Sequence, residues 1–347
     1  MALTYRAAIV GCGRMGGFID DEVGWSASSM LPYSHALAFV ESPRTELVAG
    51  CDPDEGKLRA WGERYGIEAL YTDIPRLMAE QQPDIVAVCT PTAYRFEAAL
   101  AVAAGKPRVV FLEKPVAECL READEMLAAC EAVGAITAVN TSRRWHPIWH
   151  RASEIIARGE IGRVRTVVVY GVAGISHNGS HLIDTLRHLV GDDVEWVVGH
   201  IDDEERAQTE DDVTGLALMH FRGGAHAYVN MLDPAVTSFE IDVVGESGRV
   251  RVYANGMEAE LWTAGPNLVG LGLNRQPFPR PPRLKATALH AVDDLCDALE
   301  EGRETRCTLR DGRAALEIAL ALRESHRRGG ERMALPFTDL DARIKAP

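Results

Sequence analysis

Residues 5–16 read YRAAIVGCGRMG, a short strand pattern that leads directly into a glycine-rich turn. The turn matches G-x-G-x-x-G, in which the first glycine allows a tight turn, the second admits a pyrophosphate and the third lets helix and strand pack closely. Free N–H groups at the start of the next helix would hold the phosphates. The stretch therefore predicts a dinucleotide-binding unit. The predicted cofactor-binding residues of the turn are Gly11, Gly13, Arg14, Met15 and Gly16.

A second strand pattern, residues 46–51, ends at Asp52. A carboxylate there accepts hydrogen bonds from the adenosine ribose and repels a 2′-phosphate, which predicts NAD rather than NADP. Asp52 follows the glycine motif later than the roughly 20 residues that are usual. We interpret Ile19 to Pro32 as an inserted loop before a helix at 35–40; it either covers the nicotinamide end of the cofactor or only elaborates the surface.

Helix and strand patterns alternate as far as residue 140. Helix patterns cover 54–65, 74–81, 94–104 and 118–133, and strand patterns cover 85–89, 109–112 and 136–139. This alternation is typical of a parallel, doubly wound sheet. We therefore predict an α/β fold class with an N-terminal Rossmann domain at residues 1–140.

The strand at 109–112 ends in Glu113, Lys114 and Pro115. In open α/β sheets the carboxyl ends of the strands form the edge where ligands bind. A lysine at that edge can transfer a proton beside a bound cofactor. The alternative is a solvated loop after a buried strand.

The second half of the chain contains fewer helices. After a helix pattern at 147–158, strand patterns cover 163–170, 213–221, 225–232 and 239–244. Arg222-Gly223-Gly224 joins two of them as a hairpin turn would. We predict an α+β domain at residues 141–347 with a large, mostly antiparallel, open-faced sheet. Residues 265–283 predict a loop because they are rich in proline and glycine. Two amphipathic helices are predicted at 289–300 and 311–327.

Polar residues gather between His177 and His188. On a helix, His181, Asp184 and His188 share one face and His177 lies just before the first turn. This face predicts either a polar stripe lining a cleft or a solvated surface. The spacing H-x-x-x-H-x-x-D also matches a metal site, but a nicotinamide enzyme with a lysine needs no Lewis acid, so we predict no metal.

Composition limits the partners. The chain has 347 residues and a formal net charge of −14, which disfavours nucleic acid and anionic membranes as partners. Its seven cysteines form no C-x-x-C pair, so neither zinc nor a disulfide framework is indicated. The first residues lack the pattern of a secretory leader, and we predict a cytoplasmic protein.

Short motifs along the chain resemble those of one family. Residues 11–16 (GCGRMG), 51–52 (CD), 89–92 (CTPT) and 111–115 (FLEKP) are similar to the oxidoreductases named for glucose-fructose oxidoreductase, inositol dehydrogenase and the rhizopine-catabolism protein. Further resemblances lie at residues 143–147 (RRWHP), 157–164 (ARGEIGRV), 179–184 (GSHLID) and 244–248 (VGESG). Their order and spacing cover nearly the whole chain, and they are more specific for fold than for substrate.

The resemblance implies roles for individual residues. It implies that Thr90, Pro91, Glu113 and Lys114 contact NAD, that Lys114 and His181 are catalytic, and that Asp184 contacts the substrate. Many relatives carry an aspartate four residues before the catalytic histidine, where this chain has His177. We predict that His177 takes part in the proton relay and that Arg143 binds substrate.

The resemblance also implies an assembly and an activity. The open sheet face usually forms the subunit interface, which implies a homodimer or homotetramer, and the C-terminal helices pack back near the domain junction. We predict an NAD-dependent dehydrogenase that oxidises a secondary hydroxyl of a sugar, sugar derivative or cyclitol. The alternatives are a glycoside hydrolase that uses transient oxidation by NAD, and a non-catalytic dinucleotide-binding regulator.

Overall fold

A computed structural model describes residues 3–24, 30–232, 239–267, 270–281 and 285–346. Its contacts divide the chain into two units, Met1–Trp145 with Lys285–Arg313, and His146–Leu284 with Ala314–Ala346. The predicted domain boundary at residue 140 lies close to the end of the first segment. Residues 285–313, predicted within the second domain, group with the first unit.

The first unit contains a parallel sheet. Its strands are β1 (Tyr5–Val10), β2 (Thr45–Cys51), β3 (Leu70–Tyr71), β4 (Ile85–Val88), β5 (Val109–Leu112) and β6 (Ile136–Val139), in the order β3-β2-β1-β4-β5-β6. The central strands β1, β4 and β5 are almost entirely buried, which explains their mostly apolar sequences. The predicted doubly wound sheet is confirmed, with the order reversing between β1 and β4.

Six helices connect these strands. They are α1 (Ile19–Val23), α2 (His35–Glu41), α3 (Glu55–Tyr65), α4 (Ile74–Gln81), α5 (Thr92–Ala104) and α6 (Leu120–Ala132). The predicted loop at 19–32 is wrong at its start, because 19–23 form helix α1. There the buried Asp20 accepts hydrogen bonds from the backbone N–H groups of Tyr33 (2.7 Å) and Ser34 (3.1 Å). Residues 25–29 of the insertion lie outside the described residues.

The second unit contains a nine-stranded sheet. Its strands are β7 (Val164–Val172), β8 (Val194–Ile201), β9 (Gly215–Phe221), β10 (His226–Leu232), β11 (Glu240–Gly245), β12 (Gly248–Tyr253), β13 (Glu258–Asn267), β14 (Gly270–Gln276) and β15 (Met333–Ala334). The order is β14-β13-β12-β11-β7-β10-β9-β8-β15. Among the described strands of this second sheet, only β7 and β10 pair in parallel. The mostly antiparallel sheet and the β9–β10 hairpin are confirmed.

The loop predicted at 265–283 is partly wrong. Residues 265–267 continue β13 and residues 270–276 form β14, which pairs with it as a hairpin. Composition predicted a loop because proline and glycine are frequent there. The antiparallel pairing of β12 with β13 continues into the β13–β14 pair and holds these residues extended. Residues 268–269 and 282–284 lie outside the described residues.

The remaining helices are α7 (Pro147–Ala157), α8 (Gly179–Val190), α9 (Glu204–Ala207), α10 (Thr287–Glu301) and α11 (Leu309–Arg327). Helix α8 packs on β7, and α10 packs on α2 within the first unit. The side chains of β7, β9 and β10 alternate between buried and accessible, so one face of the second sheet is open. In the described part of the chain, no helix combines the length and the apolar character needed to cross a membrane.

Candidate active site

The glycine-rich turn between β1 and α1 has the shape that a dinucleotide requires. Gly11 has a φ of +93°, and a Cβ there would lie 2.8 Å from the backbone of Cys89 and Thr90. A Cβ on Gly16 would lie 2.0 Å from the carbonyl oxygen of Gly11. A Cβ on Gly13 would instead point into open space. The chain's own packing thus requires Gly11 and Gly16, whereas the space at Gly13 fits a pyrophosphate.

Asp52 lies at the carboxyl end of β2, where the motif predicts a ribose contact. Its carboxylate is only 8% exposed and accepts hydrogen bonds from the backbone N–H groups of Cys12 and Asp54, both at 2.9 Å. The bond to Cys12 fixes the carboxylate against the glycine-rich turn. Because each oxygen has a further lone pair, Asp52 keeps acceptor capacity for a ribose hydroxyl.

Thr90 and Pro91 follow β4, the strand beside β1. The Thr90 hydroxyl is buried and has no hydrogen-bond partner within the described ranges. A buried hydroxyl without a partner costs free energy. Thr90 therefore fits a site that a polar ligand completes, as predicted for the nicotinamide cofactor.

Lys114 follows β5 on the same edge of the parallel sheet, and it is half-buried. Burial lowers the pKa of its ammonium group, the Glu113 carboxylate opposes this, and the positive charges of Arg95, Arg143 and Arg14 lower it further, to about 8. An ordinary lysine stays protonated up to about pH 10. Lys114 can therefore exchange a proton near neutral pH, as a general acid or base requires.

Glu113 was predicted to contact the cofactor, but its carboxylate is buried among protein groups. Its Oε1 lies 2.7 Å from Nε2 of His35, at the start of α2, and accepts a hydrogen bond of 2.7 Å from the Asn140 amide. Burial favours the neutral acid, yet the hydrogen bond and charge of His35 lower the pKa of Glu113 well below its usual value. His35 and Asn140 were not singled out from the sequence.

Arg143 lies in a 3₁₀ turn, Ser142–Arg144, directly after β6. It is half-buried, and burial lowers its pKa to about 10, which Tyr33 opposes. The next residue is anchored: the Arg144 guanidinium donates to the Asp311 carboxylate (2.9 Å) and the Arg306 carbonyl (2.8 Å). The turn that carries Arg143 is thereby fixed within the first unit.

Helix α8 in the second unit carries the other predicted site residues. The leucines 182, 186 and 189 are buried and anchor one side of the helix. His177 and His181 are half-buried, whereas Asp184 is completely buried. The His181 ring lies edge-on to Phe239, with ring centroids 6.3 Å apart. The two histidines thus keep accessible surface in the chain, and Asp184 does not.

Asp212 holds the segment that enters α8. Its carboxylate accepts hydrogen bonds from the backbone N–H groups of Ser176 (2.9 Å) and His177 (2.8 Å). Burial raises its pKa, and these backbone bonds partly offset the rise. No motif or spacing marks Asp212, since it lies 35 positions after His177 and only the fold brings them together.

The predicted site residues therefore fall into two groups. The first unit brings together the glycine-rich turn, Asp52, Thr90, Pro91, Glu113 and Lys114 at strand ends of one sheet, and carries Arg143 after β6. The second unit carries His177, His181 and Asp184 on α8 or just before it.

Both halves of the chain match models of one family. Residues 5–141 match "Oxidoreductase family, NAD-binding Rossmann fold", and residues 171–335 match "Oxidoreductase family, C-terminal alpha/beta domain". Together the two models cover most of the chain.

Named relatives are similar in sequence. The chain is 28% identical over 236 residues to D-apiose dehydrogenase of Paraburkholderia graminis, a match that covers 63% of this chain and 58% of that protein. It is 25% identical over 264 residues to myo-inositol 2-dehydrogenase of Thermotoga maritima, covering 71% and 74% of the two chains.

Solved structures share the fold. Levoglucosan dehydrogenase in complex with NADH aligns with a TM-score of 0.81 and 18% identity, over 96% of this chain and all of that one. An oxidoreductase from Agrobacterium radiobacter in complex with NAD+, L-tartaric acid and magnesium aligns with a TM-score of 0.76 and 20% identity, over 95% and 98%.

Proposed function

We propose that this chain, which belongs to the oxidoreductase family with an NAD-binding Rossmann fold, oxidises a secondary hydroxyl of a sugar, a sugar derivative or a cyclitol. It is an NAD-dependent dehydrogenase, and its named relatives act on apiose and inositols. The observation that carries the proposal is the half-buried Lys114 at the ligand edge of the parallel sheet, with a pKa of about 8. A group with this pKa is suited to remove a hydroxyl proton near neutral pH.

The first unit binds NAD, which supplies a nicotinamide ring able to accept a hydride. We assign the pyrophosphate to the open space at Gly13. Asp52 receives the adenosine ribose, and its position is fixed by the Cys12 N–H. The Thr90 hydroxyl gains a polar partner from the cofactor, which its buried oxygen lacks among the described residues.

We assign the proton transfer to Lys114 and His181. In the direction of oxidation the substrate hydroxyl must lose a proton, so a neutral amine or imidazole must receive it. His181 acts as the base, Lys114 assists it, and His177 joins the relay. Asp184 and Arg143 hydrogen-bond to neighbouring hydroxyls. Because Asp184 is completely buried in the chain, its contact with substrate requires α8 or its neighbours to move.

An NAD-reduction screen tests the proposal. Purified protein is mixed with NAD and single members of a panel of cyclitols, aldoses and glycosides, and NADH formation is followed by its absorbance. We expect NADH formation with at least one cyclitol or aldose. Glycoside cleavage without net NADH would instead identify a hydrolase that uses transient oxidation. Tight NAD binding with no turnover on any compound would favour a regulator.

We further propose that the open face of the second sheet pairs with a second copy of the chain, as a homodimer or homotetramer. Three apolar side chains on adjacent strands are exposed there: Val168 (41%), Leu216 (43%) and Tyr228 (54%). A contiguous apolar patch is typical of an interface. We expect light scattering to give an oligomer that Tyr228→Glu dissociates without loss of NAD binding. A monomeric wild type would contradict this proposal and leave the dehydrogenase proposal intact.

A further inference from the structure

Three polar residues from distant parts of the first unit meet beside Lys114. They are His35 at the start of α2, Glu113 after β5 and Asn140 after β6. Nε2 of His35 and the Asn140 amide nitrogen each lie 2.7 Å from Oε1 of Glu113. His35 and Glu113 are 4% and 3% exposed. A buried ionic group of this kind is held only because each member has hydrogen-bond partners.

The other carboxylate oxygen of Glu113 is turned toward Lys114. Oε2 accepts a hydrogen bond from the backbone N–H of Lys114 at 3.2 Å. The His35 ring is also fixed by Phe111, which it meets edge-on with centroids 4.6 Å apart. The negative charge of Glu113 therefore has a defined position next to the lysine. His35 of α2 and Asn140 after β6 hold it there.

A positively charged residue of α5, Arg95, contacts the residue that follows Lys114. The guanidinium of Arg95 is buried, and it donates hydrogen bonds to the carbonyl oxygens of Thr90 and Pro115. Arg95 thereby links the ends of β4 and β5 at the sheet edge where we expect the cofactor to bind. Burial lowers the pKa of Arg95 to about 10, which Glu113 opposes, so Arg95 remains a cation near neutral pH.

We propose that Glu113 and Arg95 are positioning residues that act through Lys114: Glu113 favours its ammonium form, Arg95 favours its neutral amine, and His35 and Asn140 hold Glu113 in place. Only the catalytic consequence rests on the proposed function of Lys114. The two charges act on the pKa of Lys114 in these directions, since Glu113 raises it and Arg95 lowers it. Arg143 after β6 and Arg14 in the glycine-rich turn also act on Lys114, and Cys89 after β4 acts on His35.

Titration of Lys114 in the cofactor-free protein tests the proposal directly. Trace acetylation with labelled acetic anhydride is measured from pH 6 to pH 11, and the labelling of the peptide that contains Lys114 is quantified by mass spectrometry. We expect Glu113→Gln to lower the pKa of Lys114 by about one unit and Arg95→Met to raise it by about one unit, as a single nearby charge typically does. Arg95→Lys, which keeps the charge, should recover more than half of that shift.

Arg108→Gln is the matched control. Arg108 precedes the same strand, β5, at its amino end and pairs with Asp84 at 3.6 Å. Its removal should leave the titration of Lys114 unchanged. If Glu113→Gln does not fold, His35→Gln is tested instead. Loss of the imidazolium leaves the negative charge of Glu113 less balanced by a positive one, so the pKa of Lys114 should rise.

The outcomes separate this inference from the proposed function. Opposite shifts in Glu113→Gln and Arg95→Met support the inference, whereas no shift or shifts in one direction overturn it, whatever the turnover rates. If Lys114 titrates as expected but the pH profile of NADH formation does not follow it, the inference stands and the proposed role of Lys114 in proton transfer fails.

Discussion

Lys114 and His181 are both candidate proton-transfer residues, yet they lie in different kinds of surroundings. Around Lys114 the first unit gathers charges: the Glu113 carboxylate, its partner His35 and the cations Arg95, Arg143 and Arg14. In the segment before His181, the backbone N–H groups of Ser176 and His177 bind the Asp212 carboxylate.

The two residues illustrate two ways in which a fold can act on a catalytic side chain: by changing its pKa or by fixing its position. Charges close to a lysine change its affinity for a proton, whereas hydrogen bonds to the backbone fix where a side chain starts. We therefore expect variants near Lys114 to change the pH dependence of the reaction, and variants at Asp212 to change its rate at every pH.

Removal of either proton-transfer group should have the largest effect. Lys114→Met and His181→Ala should each lower kcat by about a hundredfold or more, as the loss of a general acid or base typically does. If the two residues serve one proton transfer, the double variant should lose less than the product of the single effects. Stopped-flow measurement of NADH formation gives these rates.

The control for these variants is Lys57→Met, at an exposed lysine on α3, which should leave kcat unchanged. Fluorescence titration should give NAD affinities within several-fold of wild type for all of them. Near-normal turnover of Lys114→Met would show that the end of β5 is only structural. Fully multiplicative losses would show that the two residues act independently.

Asp212→Ala should have the next largest effect. It removes the acceptor for two backbone N–H groups, so His177 and the start of α8 lose their fixed position. We expect kcat to fall by about tenfold at every pH, in the range that a small misplacement of a reacting group causes, with NAD affinity unchanged. Asp212→Asn keeps one acceptor and should recover part of the loss.

Asp203→Ala is the matched control, because Asp203 also accepts a backbone N–H, from Arg206 at 2.9 Å, but at the exposed start of α9. It should lower the melting temperature slightly and leave kcat as it is. A similar kcat for Asp212→Ala and the wild type would show that Asp212 only stabilises the loop.

Asp52 should set the choice of cofactor, with an effect of intermediate size. We expect NAD to bind at least about tenfold more tightly than NADP, a difference of about 1.4 kcal/mol, because a 2′-phosphate would meet the carboxylate. Asp52→Asn should reduce this preference. Calorimetric titration of both cofactors decides it, and equal affinities in the wild type would contradict the assigned role.

His177→Asp should have the smallest effect, a shift of the pH profile. A carboxylate near His181 would stabilise its imidazolium, whereas a second imidazole cannot. More base is then needed to free His181 of its proton, so the acidic limb of kcat/KM should move to higher pH, with the fold and NAD affinity preserved. Superimposable profiles would leave His177 with a role in substrate shape alone.

Local sequence patterns were sufficient for the cofactor edge. Gly11 and Gly16 are required by contacts with near neighbours or with the adjacent strand, and a lysine after a buried strand must lie at the carboxyl edge. The mostly antiparallel sheet was likewise predictable from strand patterns with few intervening helices and from the hairpin turn at Arg222-Gly223-Gly224. These features depend on short spacings that the sequence displays.

The partners of the site residues could not be predicted in this way. His35 reaches Glu113 from 78 positions away, and Asp212 reaches His177 from 35. Neither residue has a spacing that marks it, because the contact depends on how helices and strands pack. The strand β14 was missed for a related reason. The composition of this segment predicted a loop, but pairing with β13 holds it in an extended conformation.

The division of the first unit into two chain segments has a consequence for biosynthesis. Arg44, just before β2, pairs with Asp297 and Glu300 of α10, and the Trp145 indole donates to Asp294 of the same helix. On the ribosome, these acidic partners emerge only after the segment from His146 to Leu284 has been translated. Arg44 and Trp145 therefore cannot form these contacts until α10 has been translated. The finished form of the NAD-binding unit is thus reached only after α10 has been synthesised.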